Sequence, residues 1–159
     1  MNIRNSRKFF GGLFLIVIVV IGGCFFIKTH WINKEEQTYS CYIKGEEYYS
    51  KEELDAAIRG YQKSIILSPE FYQGYYMIGR CYFKKGEYEE AISYLKKTLE
   101  IKPDYSDAHY LIAVVYAKRK LPQVDLAREH YDIAVHLGYA PPKIFTRYLE
   151  NLEEFYQGD

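Results

Sequence analysis

No CxxC pair occurs in the chain. Its three cysteines stand at positions 24, 41 and 81, an odd number at spacings that suit neither a zinc ion nor a disulfide framework. Cys41 and Cys81 are expected at different heights on neighbouring helices, so both read as buried thiols rather than as a bridge. The four histidines, His30, His109, His130 and His136, form no HExxH and no pair four residues apart, which leaves metal-assisted hydrolysis without its ligands. His109 falls where an apolar core residue is expected and reads as a packed imidazole. A phosphate-cradling glycine loop and a nucleophile elbow are both missing, and the adjacent carboxylates Glu89, Glu90 and Glu153, Glu154 read as solvated helix faces. With no acid and base that could be paired in a pocket, the expectation is a protein that is not an enzyme and needs no metal or cofactor. Charge of one sign is also lacking. Lysine plus arginine and aspartate plus glutamate each number 21, so there is no concentrated basic footprint and no nucleic-acid partner is expected.

What the chain has in excess is tyrosine, 18 residues of 159, in a composition 48% apolar and 26% charged that reads as globular. Much of it is ordered by a period. Laying residues 72–105 over residues 38–71 aligns Gly79 with Gly45, Tyr82 with Tyr48, Ala91 with Ala57 and Pro103 with Pro69. A period of 34 with those marks is that of a helix-turn-helix unit, and Tyr75, Ile78, Gly79, Tyr82, Ala91, Leu95 and Pro103 match the spacing of the tetratricopeptide repeat (TPR), which the chain resembles. The implied fold is all-α: a solenoid of three helix-turn-helix repeats and a C-terminal capping helix, preceded by a single membrane-spanning helix. Helices are expected at about 38–50 and 52–66 for the first repeat (38–71), and at about 71–85 and 87–99 for the second (72–105). The third (106–141) carries two extra residues, because Tyr116 follows Tyr82 by 34 while Ala127 follows Ala91 by 36; Pro122 is expected to open its second helix. Phe145, Tyr148, Leu152 and Phe155 form an apolar stripe in the last segment (142–159), the expected cap. Small residues at Gly79, Ala91, Ala113 and Ala127 mark where helices should approach most closely.

Before the repeats stands an uncharged run, Phe9 to Ile27. A helix of that length spans about 28 Å at ~1.5 Å per residue, close to the ~30 Å core of a bilayer. Arg4, Arg7 and Lys8 in the basic segment 1–8 favour a cytoplasmic N-terminus, which puts the repeats on the far side, periplasmic or extracytoplasmic in a bacterium. Residues 28–37 read as a polar linker. Three processing routes stay open: an uncleaved anchor over 9–27, a lipoprotein acylated at Cys24 after Val20, Ile21, Gly22 and Gly23, or a cleaved signal.

The resemblance implies a function through its phase. In the family the first helix of each repeat lines a concave groove. Tyr42, Tyr76 and Tyr110, 34 residues apart, fall on that side; Tyr39, Tyr49 and Phe83 extend it, and Arg80, Lys84 and Lys118 add positive charge. The second ladder, Tyr48, Tyr82 and Tyr116, is assigned to the core. The implied role is a membrane-anchored scaffold that holds a protein or peptide segment in a tyrosine-rich groove, as in envelope assembly; a receptor for a peptide or small ligand is the alternative. Members that bind chaperone C-termini use a Lys/Asn clamp, and Tyr42 and Glu46 occupy the corresponding stretch of the first repeat, which disfavours that role. Whether copies of the chain also associate, as family members often do edge to edge, is not decided by the pattern.

Overall fold

The computed structural model describes residues 34–157. The expected membrane segment at 9–27, Cys24 and residues 28–33 of the expected linker lie outside the described residues. Among those described, no helix is long and apolar enough to cross a membrane. The chain divides into two units, Met1–Gln37 and Thr38–Asp159, and the solenoid is the second.

Seven helices and no strand make up the described residues: α1 over 34–50, α2 Leu54–Leu67, α3 Tyr72–Lys85, α4 Tyr88–Ile101, α5 Ser106–Lys118, α6 Val124–His136 and α7 Lys143–Gln157. Helix α1 takes in Lys34, Glu35, Glu36 and Gln37, all expected in the linker and all good helix formers apart from any membrane role. Consecutive helices pack as hairpins, α3 on α4 and α5 on α6, and the hairpins stack through α2 on α3 and α4 on α5. Pro122 does not open α6. The helix starts at Val124, and the Gln123 N–H reaches back 3.2 Å to the Tyr116 carbonyl, so Pro122 belongs to the two-residue-longer loop that this bond closes.

One turn geometry recurs at the end of three helices. Gly86, at φ 78°, ends α3 with its N–H on the Phe83 carbonyl and the following Glu87 N–H on Tyr82, a Schellman motif. Gly138 repeats it after α6, with φ 87° and the bonds Gly138 to Val135 and Tyr139 to Ala134. After α1 the same bonds run from Glu52 to Tyr49 and from Glu53 to Tyr48, but the left-handed residue is Glu52, at φ 62°. The repeat imposes the turn, and the side chain there is the wrong one for it.

Packing follows the repeat. Ala91, Ala113 and Ala127 are fully buried, and a Cβ on Gly79 would lie 2.9 Å from Leu95 Cγ. In the first repeat Tyr61 takes the place of Leu95 and lies over Gly45, where a Cβ would sit 2.5 Å from its ring. Gly60 lets the α1 and α2 backbones touch: its Cβ would be 2.9 Å from Gly45 Cα. That glycine also explains an exception in the tyrosine ladder assigned to the core. Tyr116 is buried and faces His130, and Tyr82 stacks on Tyr94 at 5.5 Å. Tyr48 is 39% exposed, because the residue equivalent to Tyr94 is Gly60 and offers no ring. In α7 the buried stripe is Phe145 and Leu149 with Leu152 packed beside them; Tyr148 and Phe155, expected on that stripe, are exposed.

Candidate interaction groove

The first helices of the three repeats, α1, α3 and α5, bring Tyr49, Tyr76, Arg80, Phe83, Lys84 and Tyr110 around one recess of about 340 Å3, completed by Leu111 and Tyr139. Six of the nine residues expected in the groove therefore share a surface. The other three do not line it. Tyr39 is half exposed and edge-on to Phe71 at 5.4 Å. Tyr42 packs against Tyr61 and Phe71, both at 5.4 Å, as part of the core beneath the first repeat. Lys118 is exposed in the last turn of α5.

A feature the sequence reading missed organises the aromatic rings. Phe71, Tyr105 and Tyr139 also recur every 34 residues, each just beyond the second helix of its repeat. Each meets one member of the tyrosine ladder: Phe71 meets Tyr42 at 5.4 Å, Tyr105 meets Tyr76 at 5.1 Å, and Tyr139 meets Tyr110 at 4.4 Å. The first two pairs are edge-to-face and the last is stacked, geometries that add to simple burial. The signal was present in the period, but residues outside helices carry no helical phase from which to infer a partner.

Two cations lie on the rings. The Arg80 guanidinium is 5.1 Å from the Tyr49 centroid and 5.7 Å from that of Tyr76, and Lys84 Nζ is 4.7 Å from Tyr49. Lys84 also reaches Glu52 at 3.5 Å in an exposed pair, whereas no carboxylate pairs with Arg80 among the described residues. Burial pushes the Tyr110 phenol up to about 12, and burial followed by the Asp107 charge does the same for Tyr105. Burial likewise raises Tyr76. The phenols therefore remain neutral hydrogen-bonding groups throughout the physiological range, and the positive charge of the recess comes from Arg80 and Lys84. Such a surface can stack on apolar or aromatic side chains while holding an anionic or carbonyl oxygen.

Away from the groove, Cys81 is buried, which pushes its thiol up to about 12, and neither Cys41 nor Cys81 is in a disulfide. His109 and His130, 21 residues apart, place their Nδ1 atoms 3.0 Å from each other, and His109 Nε2 is 3.1 Å from the Pro103 carbonyl. A carbonyl only accepts, so His109 donates through Nε2 and its Nδ1 accepts the proton of His130. Among the described residues no group of three or more His, Cys, Asp or Glu side chains could hold a metal ion.

Comparison with known proteins places this arrangement. Residues 79–119 match a family model described as TPR repeat, and residues 61–93 match one described as tetratricopeptide repeat. No curated protein matches the chain. Among solved structures, MamA is 30% identical with a TM-score of 0.60 over 64% of this chain, which spans 58% of the MamA chain. The first TPR of Spaghetti (RPAP3), bound to the HSP90 peptide SRMEEVD, is 17% identical with a TM-score of 0.69, covering 77% of this chain and 94% of that one. The TPR2B domain of yeast Sti1, in a complex with pHsp70, is 24% identical with a TM-score of 0.61, covering 64% and 80%. The described helices form a TPR solenoid.

Proposed function

We propose that this chain, a carrier of tetratricopeptide repeats, is a scaffold that holds a segment of another protein in the groove of α1, α3 and α5. One observation carries the reading: Arg80 and Lys84 stand over tyrosine rings at the centre of a concave recess, with no carboxylate on Arg80. Tyrosine and arginine are the side chains that most often dominate binding energy, and here they are already ordered by packing, which lowers the entropy lost on association. The HSP90 peptide bound to Spaghetti and the pHsp70 complex of Sti1 support a groove that takes part of another protein. The uncharged run at 9–27 supports display from a membrane, by an anchor or through Cys24, with a cytoplasmic N-terminus and the repeats on the far side.

The test is a crosslinking capture from native membranes with the intact chain and with an Arg80→Gln, Lys84→Glu variant. Both changes lie on the groove surface, so helical content should be unaltered and melting should fall only by the little that the ring contacts of Arg80 and Lys84 and the exposed Lys84–Glu52 pair contribute, while affinity for the captured protein should fall at least about tenfold, the loss of one hot spot. Equal recovery with the variant would remove the groove from the function. A second reading, a receptor for a small aromatic ligand, is favoured by the size of the recess, about 340 Å3. A defined small molecule released on denaturing the purified chain would select it.

A further inference from the structure

We infer that the chain forms a twofold dimer through α7, with the outer faces of two copies of this helix packed antiparallel. Ile144, Tyr148, Asn151 and Phe155 follow the 4-3-4 spacing of a helix seam. Ile144 is 81% and Phe155 70% exposed; Tyr148 between them is 40% exposed, its hydroxyl donating back to the Ala117 carbonyl of α5 at 3.2 Å while the rest of the ring edges the seam. The seam is distinct from the buried face of the same helix, which Phe145 and Leu149 turn inward. A capping helix needs a polar outer surface unless that surface is itself an interface.

Charge selects the occupant. The exposed basic residues of α7, Lys143 and Arg147, lie in its first half, Glu150 stands at its midpoint and Glu154 lies in its second half. Glu153 is already held by Arg128, with Arg128 Nη2 2.6 Å from Glu153 Oε2, whereas Arg147 and Glu154 form no ion pair among the described residues. These two flank the same edge of the seam, one heptad apart. In an antiparallel pair that edge faces its own counterpart from the other end, so Arg147 of each copy meets Glu154 of its mate. The helix is complementary to itself read backwards, as a twofold interface requires.

The opposite end of the solenoid excludes head-to-tail growth. Positions filled by the buried Gly74, Ile78 and Cys81 in the second repeat, and by Ala108, Ile112 and Val115 in the third, carry Ser40, Lys44 and Glu47 in the first. A stack that continued there would bury a lysine and a glutamate.

Sedimentation velocity of the full chain in mild detergent, over a wide concentration series, tests the dimer. Arg147→Glu and Glu154→Arg, taken singly, each set like charges face to face and should raise the dissociation constant at least about tenfold. Mixing the two variants in equal amounts should restore it, because each then supplies the charge the other lacks, a rescue that misfolded chains could not give. A wild-type chain that stays monomeric, which would leave the seam to some other protein, overturns the proposal. So does a dimer that neither substitution weakens, or single-variant losses that mixing fails to repair.

Discussion

Single residues carry two of the clearest expectations. Glu52 occupies the left-handed position that Gly86 and Gly138 fill elsewhere, and a side chain there costs about 1–2 kcal/mol. Its exposed pair with Lys84, at 3.5 Å, offsets little of this. Glu52→Gly should therefore stabilise the domain by about 1 kcal/mol, the gain being trimmed by the extra freedom of glycine in the unfolded chain; urea denaturation would show a higher midpoint at unchanged slope. The missing glycine is visible in the sequence, but only the observed φ turns it into an energy. His130 is the second case. Burial, then the His109 imidazole beside it, holds His130 below the usual histidine range, with Lys96 acting the same way and Glu129 opposing. A depressed pKa means that the unfolded chain binds the proton more readily, so this stability is complete above about pH 6.5 and drains away as pH falls through the folded value. Melting temperature should drop between pH 7 and 5, and His130→Asn, which keeps a donor for His109 Nδ1, should flatten that part of the profile. Sequence spacing gave no hint of the pair, because residues 21 apart meet only when α5 and α6 close into a hairpin.

At the scale of helices the α1–α2 crossing is the sharpest case. Alanine is a better helix former than glycine by up to about 1 kcal/mol, so an isolated α2 would gain from Gly60→Ala. In the folded chain the new Cβ would stand 2.9 Å from Gly45 Cα and 2.9 Å from its nitrogen, both backbone atoms that cannot swing aside. Overpacking costs about 1–3 kcal/mol, the larger effect, and the variant should unfold at lower urea concentration. An unchanged or raised midpoint would mean that the helices separate freely. The helices themselves were legible: the 34-residue period, the prolines and the glycine turns located α3 and α4 within a residue or two. The start of α6 was not, because Pro122 follows the general preference for a first helical turn while the Gln123 to Tyr116 bond holds it in the loop. Nor was the buried face of α7, since Phe145, Leu152, the half-exposed Tyr148 and the outward Phe155 are all apolar and the periodicity cannot say which side has a neighbour.

Across the molecule, stability should be shared between neighbouring repeats, as in any solenoid. Ending the chain after Ala140 removes α7, and with it the burial of Phe145 and Leu149, side chains worth about 1.5–3 kcal/mol each. Tyr131 would also lose its hydroxyl contact with Thr146, 2.8 Å away. The shortened chain should lose roughly 3–6 kcal/mol and fray from α5 and α6 first, which amide hydrogen exchange would resolve; uniform loss of protection would instead mark one cooperative block. The repeat class and the number of helices in each unit follow from the sequence alone, because a period repeats the same local constraints along the chain. Tertiary structure decided which aromatic rings meet. Phe71, Tyr105 and Tyr139 reach the ladder from loops, Tyr42 sinks under Phe71 while Tyr76 and Tyr110 line the recess, and Arg80 comes to rest on two rings from different helices. Those outcomes depend on how far one hairpin is rotated against the next, a quantity set by the volumes of side chains distant in sequence, such as Gly60 against Gly45 and Tyr61 in the place of Leu95, and not by the spacing of any one helix.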